Sequence, residues 1–254
     1  MTKKILALAL AAMMIFAFAG CAKDVADDAG EKEVLTIATN AEFPPFEYLE
    51  NGEMVGAEID MAYAIAENLG VEIEISNIDF DAALTGAATG KYDMAVSGIT
   101  ANDERRKNMN FSDNYYMASQ AIIVTADSEI AAAADLAGKT ISCQEGTTGE
   151  QYILADPSYK VQSFKTGAEA ITALVAGKVD AVVIDDAVAR ALSEAQNGAT
   201  KVLDEALTEE AYAIALELGN DELTERINGA LAELKAEGKL AEIFTKYGLP
   251  YDAE

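Results

Sequence analysis

The residues best suited to chemistry lie between Val96 and Asp113, in the run Val-Ser-Gly-Ile-Thr-Ala-Asn-Asp-Glu-Arg-Arg-Lys-Asn-Met-Asn-Phe-Ser-Asp. Met94-Ala95-Val96 reads as a strand that breaks at Gly98, and the charged cluster from Asp103 reads as the first turn of a helix. An arginine just past the mouth of a strand, beside the hydroxyls of Ser97 and Thr100 and a flexible glycine, can present a guanidinium fork to a carboxylate. Taken alone, Asp103 to Lys107 is an ordinary solvated charge run. The case for a site comes from what surrounds it.

Composition removes several kinds of chemistry. Histidine is absent, and with it the commonest metal ligand and the commonest general base. A formal charge of −26 repels nucleic acid and anionic headgroups, keeps the protein dispersed, and biases a small ligand towards neutral or cationic. Neither metal nor cofactor is expected, and the protein is expected as a monomer. Cys143 sits in the apolar run Thr140-Ile141-Ser142-Cys143, where a buried strand thiol fits better than a nucleophile. The 254 residues suit one large domain or two small ones.

The elements that must hold these residues alternate. Val34–Thr39 and the period-two run Val71–Ile75 read as strands, as does Tyr92–Ser97. Ala57–Leu69 carries apolar residues at helical spacing and stops at Gly70, and Asp81–Thr89 reads as a second helix. This βαβαβ order predicts a mostly parallel sheet with helices on its faces. Gly90-Lys91-Tyr92-Asp93-Met94-Ala95-Val96 is echoed by Gly177-Lys178-Val179-Asp180-Ala181-Val182-Val183, each after a helix and entering a strand. Convergent turn chemistry could produce the echo; two similar α/β lobes explain it better. Ligands of open α/β sheets sit at the carboxyl ends of strands. Asn40–Phe46, Ser97–Arg105, Gln144–Gly149 and Asp185-Asp186 all fall at such ends.

The first 20 residues read as a signal peptide: Lys3-Lys4, then an apolar run from Ile5 to Ala19 that is short of the about 20 residues a membrane span needs. Phe18-Ala19-Gly20-Cys21 resembles a bacterial lipobox with Phe18 where leucine is usual, which would make Cys21 a lipidated N-terminus; an ordinary secretory peptide cleaved elsewhere is the alternative. Residues 21–33 are small and charged, as a tether would be.

The ordered set of motifs resembles the family 3 extracellular solute-binding proteins, polar amino-acid receptors of bacterial ABC importers, in lipoprotein form. The matching pieces are Ala41-Glu42-Phe43-Pro44-Pro45-Phe46-Glu47, Gly56 to Gly70, Gly90 to Val96, and Ser97 to Arg105 with Phe111-Ser112-Asp113 and Tyr115-Tyr116. Asp135-Leu136-Ala137-Gly138-Lys139, Gly146-Thr147-Thr148-Gly149, Gly177 to Val183 and Gly238 to Gly248 follow in family order. The resemblance implies an α/β, two-lobed periplasmic-binding-protein fold (type II), its lobes joined by two hinge strands. Lobe 1 would be residues 34–117 plus 212–254, and lobe 2 residues 118–211. A helical tail from Glu222 to Tyr247 would pack back on lobe 1.

The same resemblance implies site roles. Arg105 would grip a ligand α-carboxylate, with Thr147 and Thr148 adding donors at the start of a helix. Asp185, the Gly98 carbonyl and the Thr100 hydroxyl would receive the α-ammonium. Phe43 and Phe80 would flank the ligand side chain, although core packing is the default for either ring alone. Asn40 and Ile184 stand where substrates are told apart: neutral Asn40 and apolar Ile184 argue against strict lysine or arginine specificity and lean towards a neutral ligand. The implied function is capture of a free amino acid by lobe closure and delivery to ABC permease subunits, on the extracytoplasmic face of the membrane or in a periplasm. A dehydratase-like enzyme on the same fold is the alternative, for which Glu42 and Glu145 are the spare carboxylates. A sensor component is a third option. The ligand's identity, and contact by Glu42, Ile184 or Asp186, stay open.

Overall fold

The structure, a computed structural model, describes residues 32–251. The expected signal peptide, Cys21 and the tether up to residue 31 lie outside the described residues. The chain opens with β1 (Val34–Thr39), a nearly continuous buried apolar strand of the kind a doubly covered parallel sheet requires. A small antiparallel sheet follows, β2 (Glu42–Phe43), β3 (Glu47–Glu50) and β4 (Glu53–Val55), turning at Asn51-Gly52. Next come α1 (Ala57–Leu69), β5 (Glu72–Asn77), α2 (Phe80–Ala88) and β6 (Met94–Ala95). The expected helix turn after Asp103 is a single 3-10 turn at Arg105–Lys107, leading into β7 (Met109–Phe111).

The chain then crosses on β8 (Tyr116–Ala118) into β9 (Gln120–Thr125). A second unit is built from β10 (Thr140–Gln144), α3 (Thr148–Leu154), β11 (Lys160–Phe164), α4 (Gly167–Val175), β12 (Ala181–Asp185), α5 (Asp186–Glu194) and β13 (Thr200–Val202). It returns on β14 (Glu210–Tyr212) into β15 (Ala215–Glu217), and finishes with α6 (Asp221–Ala236) and α7 (Lys239–Lys246). The predicted continuous tail helix is therefore two helices. Gly238, at φ 74° in the left-handed region, breaks it. The tail docks on α1, where Lys246 and the Tyr247 hydroxyl reach Asp60 at 2.7 and 3.0 Å.

The two large sheets share one plan. Their orders are β5-β1-β6-β15-β7 and β11-β10-β12-β9-β13, three parallel strands followed by an antiparallel fourth. The fourth strand in each is the one entered from a crossing, and the crossing strands β8 and β14 pair with each other, Met117 opposite Ala211. The repeated sequence has a physical cause. Asp93 accepts the Thr36 backbone N–H at 2.7 Å, and Asp180 accepts that of Thr140 at 2.7 Å, so each aspartate ties the third strand to the first. Edge strands β5 and β11 carry Glu72, Glu74 and Lys160 at exposed positions, which discourages further pairing. Cys143 is buried in β10, its thiol pushed up to about 12 by burial, as expected of a structural cysteine.

Candidate functional site

All the predicted ligand-binding residues except Thr100 line one cavity, and Gln144 joins them. Asn40, Ser97 and Gly98 follow β1 and β6, Gln144 ends β10, and Asp185 ends β12, so the cavity lies at the carboxyl ends of strands from both sheets. Phe43 stands in β2 and Phe80 opens α2. Gly98 has φ 53°, and a Cβ there would stand 2.8 Å from the Phe43 ring, so glycine alone fits under the ring.

Arg105 is buried, with its guanidinium 5.5 Å from the Phe80 ring centroid. Its Nη1 donates to the Thr100 carbonyl at 2.9 Å and its Nη2 to the Gly146 carbonyl at 3.1 Å. One partner comes from each side of the cavity, and further guanidinium N–H groups remain to meet a ligand. Burial lowers its affinity for the proton, while Asp185 and Glu210 oppose that effect. Among the described residues it forms no ion pair.

Asp185 is the opposite pole. The Tyr212 hydroxyl donates to its Oδ1 at 2.6 Å. Burial, aided by the charge of Glu210, pushes its carboxyl up to about 7 against the pull of the Tyr212 and Gln120 hydrogen bonds. It occupies the cap position of α5 without a side-chain capping bond, whereas Asp186 pairs with Arg190 on the surface.

Three threonine hydroxyl protons are given to groups inside the protein. Thr100 is set behind the wall, its hydroxyl given to Glu210 Oε2 at 2.5 Å. The Thr148 hydroxyl also goes to Glu210 Oε2, at 2.7 Å, and that of Thr147 to the Gln144 carbonyl at 2.8 Å. Both hydroxyl protons are engaged, so any donor these residues offer a ligand carboxylate is backbone N–H at the start of α3. Glu210, buried in β14, was not foreseen. Gln144 was foreseen only as part of a segment.

Gln144 is held in one orientation. Asn40 Nδ2 donates to the Ile78 carbonyl at 3.0 Å, which leaves Asn40 Oδ1 to accept from Gln144 Nε2 at 2.9 Å. Gln144 Oε1 is then buried without a donor. Of the residues left open, Ile184 is buried but outside the lining, and exposed Glu42 and half-buried Asp186 lie outside it too. Glu145 is exposed and paired with Lys165 at 2.6 Å.

Residues 35–250 match the sequence profile of the bacterial extracellular solute-binding proteins, family 3. The chain belongs to that family. As a family 3 protein it is extracytoplasmic, and its two sheets are the two lobes of a type II periplasmic-binding-protein fold joined by β8 and β14. It is 31% identical over 249 residues to the arginine-binding extracellular protein ArtP of Bacillus subtilis (strain 168), covering 96% of this chain and 98% of ArtP. Among solved structures, an ancestral arginine-binding protein bound to glutamine is 41% identical with a TM-score of 0.80, covering 86% of this chain and 99% of that one. An ancestral arginine-binding protein bound to arginine gives 41% and 0.81 over the same shares.

Proposed function

We propose that this family 3 protein captures a free α-amino acid by closing its lobes on it and hands it to the permease subunits of an ABC importer, without catalysing a reaction. The observation that carries this reading is a buried cation and a buried carboxyl in one cavity, Arg105 and Asp185, neither held in an ion pair among the described residues. A zwitterion supplies the missing partner of each: its carboxylate meets the Arg105 fork and its ammonium meets Asp185. The side chain runs between Phe43 and Phe80 towards the amides of Asn40 and Gln144.

Gln144 Oε1 wants a donor, so the preferred side chain carries N–H. A carboxamide satisfies this without an acid, in keeping with a lining whose one carboxyl is Asp185. A guanidinium also offers N–H, and the relatives named for arginine favour it as the second reading. Lobe 1 comprises residues 34–117 plus 212–254 and lobe 2 residues 118–211, the boundaries falling within the β8–β14 ladder. Cys21 anchors the mature chain by its lipid, on the strength of the lipobox-like Phe18–Cys21.

The test is a thermal-shift panel of the common amino acids on purified protein freed of copurified ligand by partial unfolding. A ligand at about 100 times its Kd adds about 2.7 kcal/mol, which raises Tm by about 5–10 °C. Glutamine or arginine is expected to do so, and Arg105→Ala to abolish the shift while keeping a cooperative melt. A shift by des-amino carboxylates alone, or an Arg105→Ala protein that binds normally, would overturn the assignment.

A further inference from the structure

Behind the cavity wall lie two carboxyls with no role so far. Glu47 begins β3 and Glu58 lies in the first turn of α1, and both are wholly buried, at 0% exposure. Neither has an ion-pair partner among the described residues. Two adjoining carboxylates cannot both be ionised in such a place, so the pair holds a proton.

The donors around the pair say where that proton is. Glu58 accepts the Gly98 N–H at both oxygens, 3.0 Å each, and the Tyr115 hydroxyl at 2.6 Å. It is the carboxylate. Glu47 Oε1 accepts the Ser97 hydroxyl at 2.9 Å, and its Oε2 is buried without any N–H or O–H donor. The carboxyl beside it is Glu58, whose charge raises its affinity for a proton. A proton on Glu47 Oε2, offered to Glu58, gives that oxygen the partner it lacks.

Every bond of this pair except the one to Tyr115 ends on the ligand cavity. Ser97, Gly98 and Asn40 all line it, and the Asn40 N–H donates to Ser97 Oγ at 3.0 Å. A single chain therefore runs from Asn40 N–H through the Ser97 hydroxyl and the Glu47 acid to Glu58, which also holds Gly98. We propose that Glu47 and Glu58, sharing one proton, are positioning residues of the ligand site: the Glu58 carboxylate fixes the backbone of Gly98, and the protonated Glu47 fixes the Ser97 hydroxyl. This rests on the amino-acid reading above.

The other titratable groups facing the pair are Tyr115, Tyr212 and Asp185. Burial pushes Glu58 up to about 7 and, with the Glu58 charge beside it, drives Glu47 well above the carboxylate range. The proton therefore stays on Glu47 at neutral pH, while acid adds a second one to Glu58 and frees Gly98.

Glu47→Gln and Glu58→Gln separate the roles. Calorimetric affinities for L-glutamine and L-arginine would be measured from pH 5 to 8.5, beside thermal melts. Glu47→Gln supplies the donor permanently as an amide N–H and still accepts from Ser97. It is expected to bind within about threefold of wild type at pH 8 and to follow the wild-type pH profile, because a neutral donor still faces Glu58. Glu58→Gln sets an amide N–H2 against the Gly98 N–H and is expected to bind at least about tenfold more weakly across the range, with Glu58→Asp recovering part of the loss. Equal losses in both amide variants, or none in either, would overturn the proposal. Infrared spectroscopy reads the proton without any ligand: at pH 8.5 wild type should show a protonated-carboxyl band that Glu47→Gln lacks, and its persistence would refute the assignment even if Glu58→Gln fails to fold. Failure of wild type to bind any α-amino acid would instead strike the amino-acid reading, with the infrared result standing apart.

Discussion

Asp185 illustrates how burial, rather than a neighbour, sets a residue's chemistry. Its carboxyl sits at about 7 in the folded protein against an ordinary 3.8, so the fold keeps a proton that the unfolded chain has released. The sign follows: this group disfavours the ligand-free fold increasingly as pH rises from about 4 to about 7, and the loss is complete above that. An α-ammonium reverses the balance by stabilising the ionised form, so binding should expel a proton. Affinity is expected to rise with pH between about 5 and 7, by up to about tenfold per unit, and then level off. Titration in buffers of different ionisation heat would reveal the released proton. A Kd constant across this range would remove Asp185 from the ammonium's side of the site.

At the scale of elements, the hinge is packed rather than loose. The Tyr212 ring of β14 lies 5.3 Å from Phe46 and 5.8 Å from the Tyr116 ring of β8, and Phe244 of α7 stacks on Tyr116 at 5.3 Å. The terminal helix thus braces both crossing strands. Phe244 is fully buried, and Phe244→Ala is expected to cost about 3–5 kcal/mol, a Tm lower by roughly 10 °C in a thermal melt. A drop of less than about 1 °C would show that α7 does not brace the hinge. The sequence pattern revealed the strand ends where the site lies, because hydrophobic period and turn residues are local signals. The β3–β4 hairpin went unread, although Asn51-Gly52, whose φ values of 53° and 87° suit a two-residue turn, marks it. Glu58 was illegible for a physical reason: an acid in the first turn of a helix is ordinary on a surface, favoured by the helix dipole, and nothing local says it is buried. Glu47, Glu210 and Gln144 share that difficulty. Their roles depend on partners such as Ser97, Thr100 and Asn40, which lie 50, 110 and 104 positions away along the chain.

Across the whole molecule, the lobes touch through few polar bonds, and these differ in what they should do. Gln144 to Asn40 and Arg105 to the Gly146 carbonyl run through the cavity, while Asn102 Nδ2 to Gln151 Oε1, at 3.1 Å, spans the rim outside its lining. A bond that forms only on closure raises the population of the closed state without touching the ligand, so losing it scales every ligand's apparent Kd by one common factor. Gln151 is exposed on α3, and its rim bond is worth no more than about 1 kcal/mol. Gln151→Ala is therefore expected to weaken glutamine and arginine alike, by about threefold, without changing their ratio. Gln144→Ala should change the ratio, because it removes both a bridge between lobes and an acceptor for the ligand side chain. Calorimetry of the two variants with both amino acids decides the matter. A Gln151→Ala protein that alters selectivity, or a Gln144→Ala protein that preserves it, would show that closure and recognition are divided differently between the rim and the cavity.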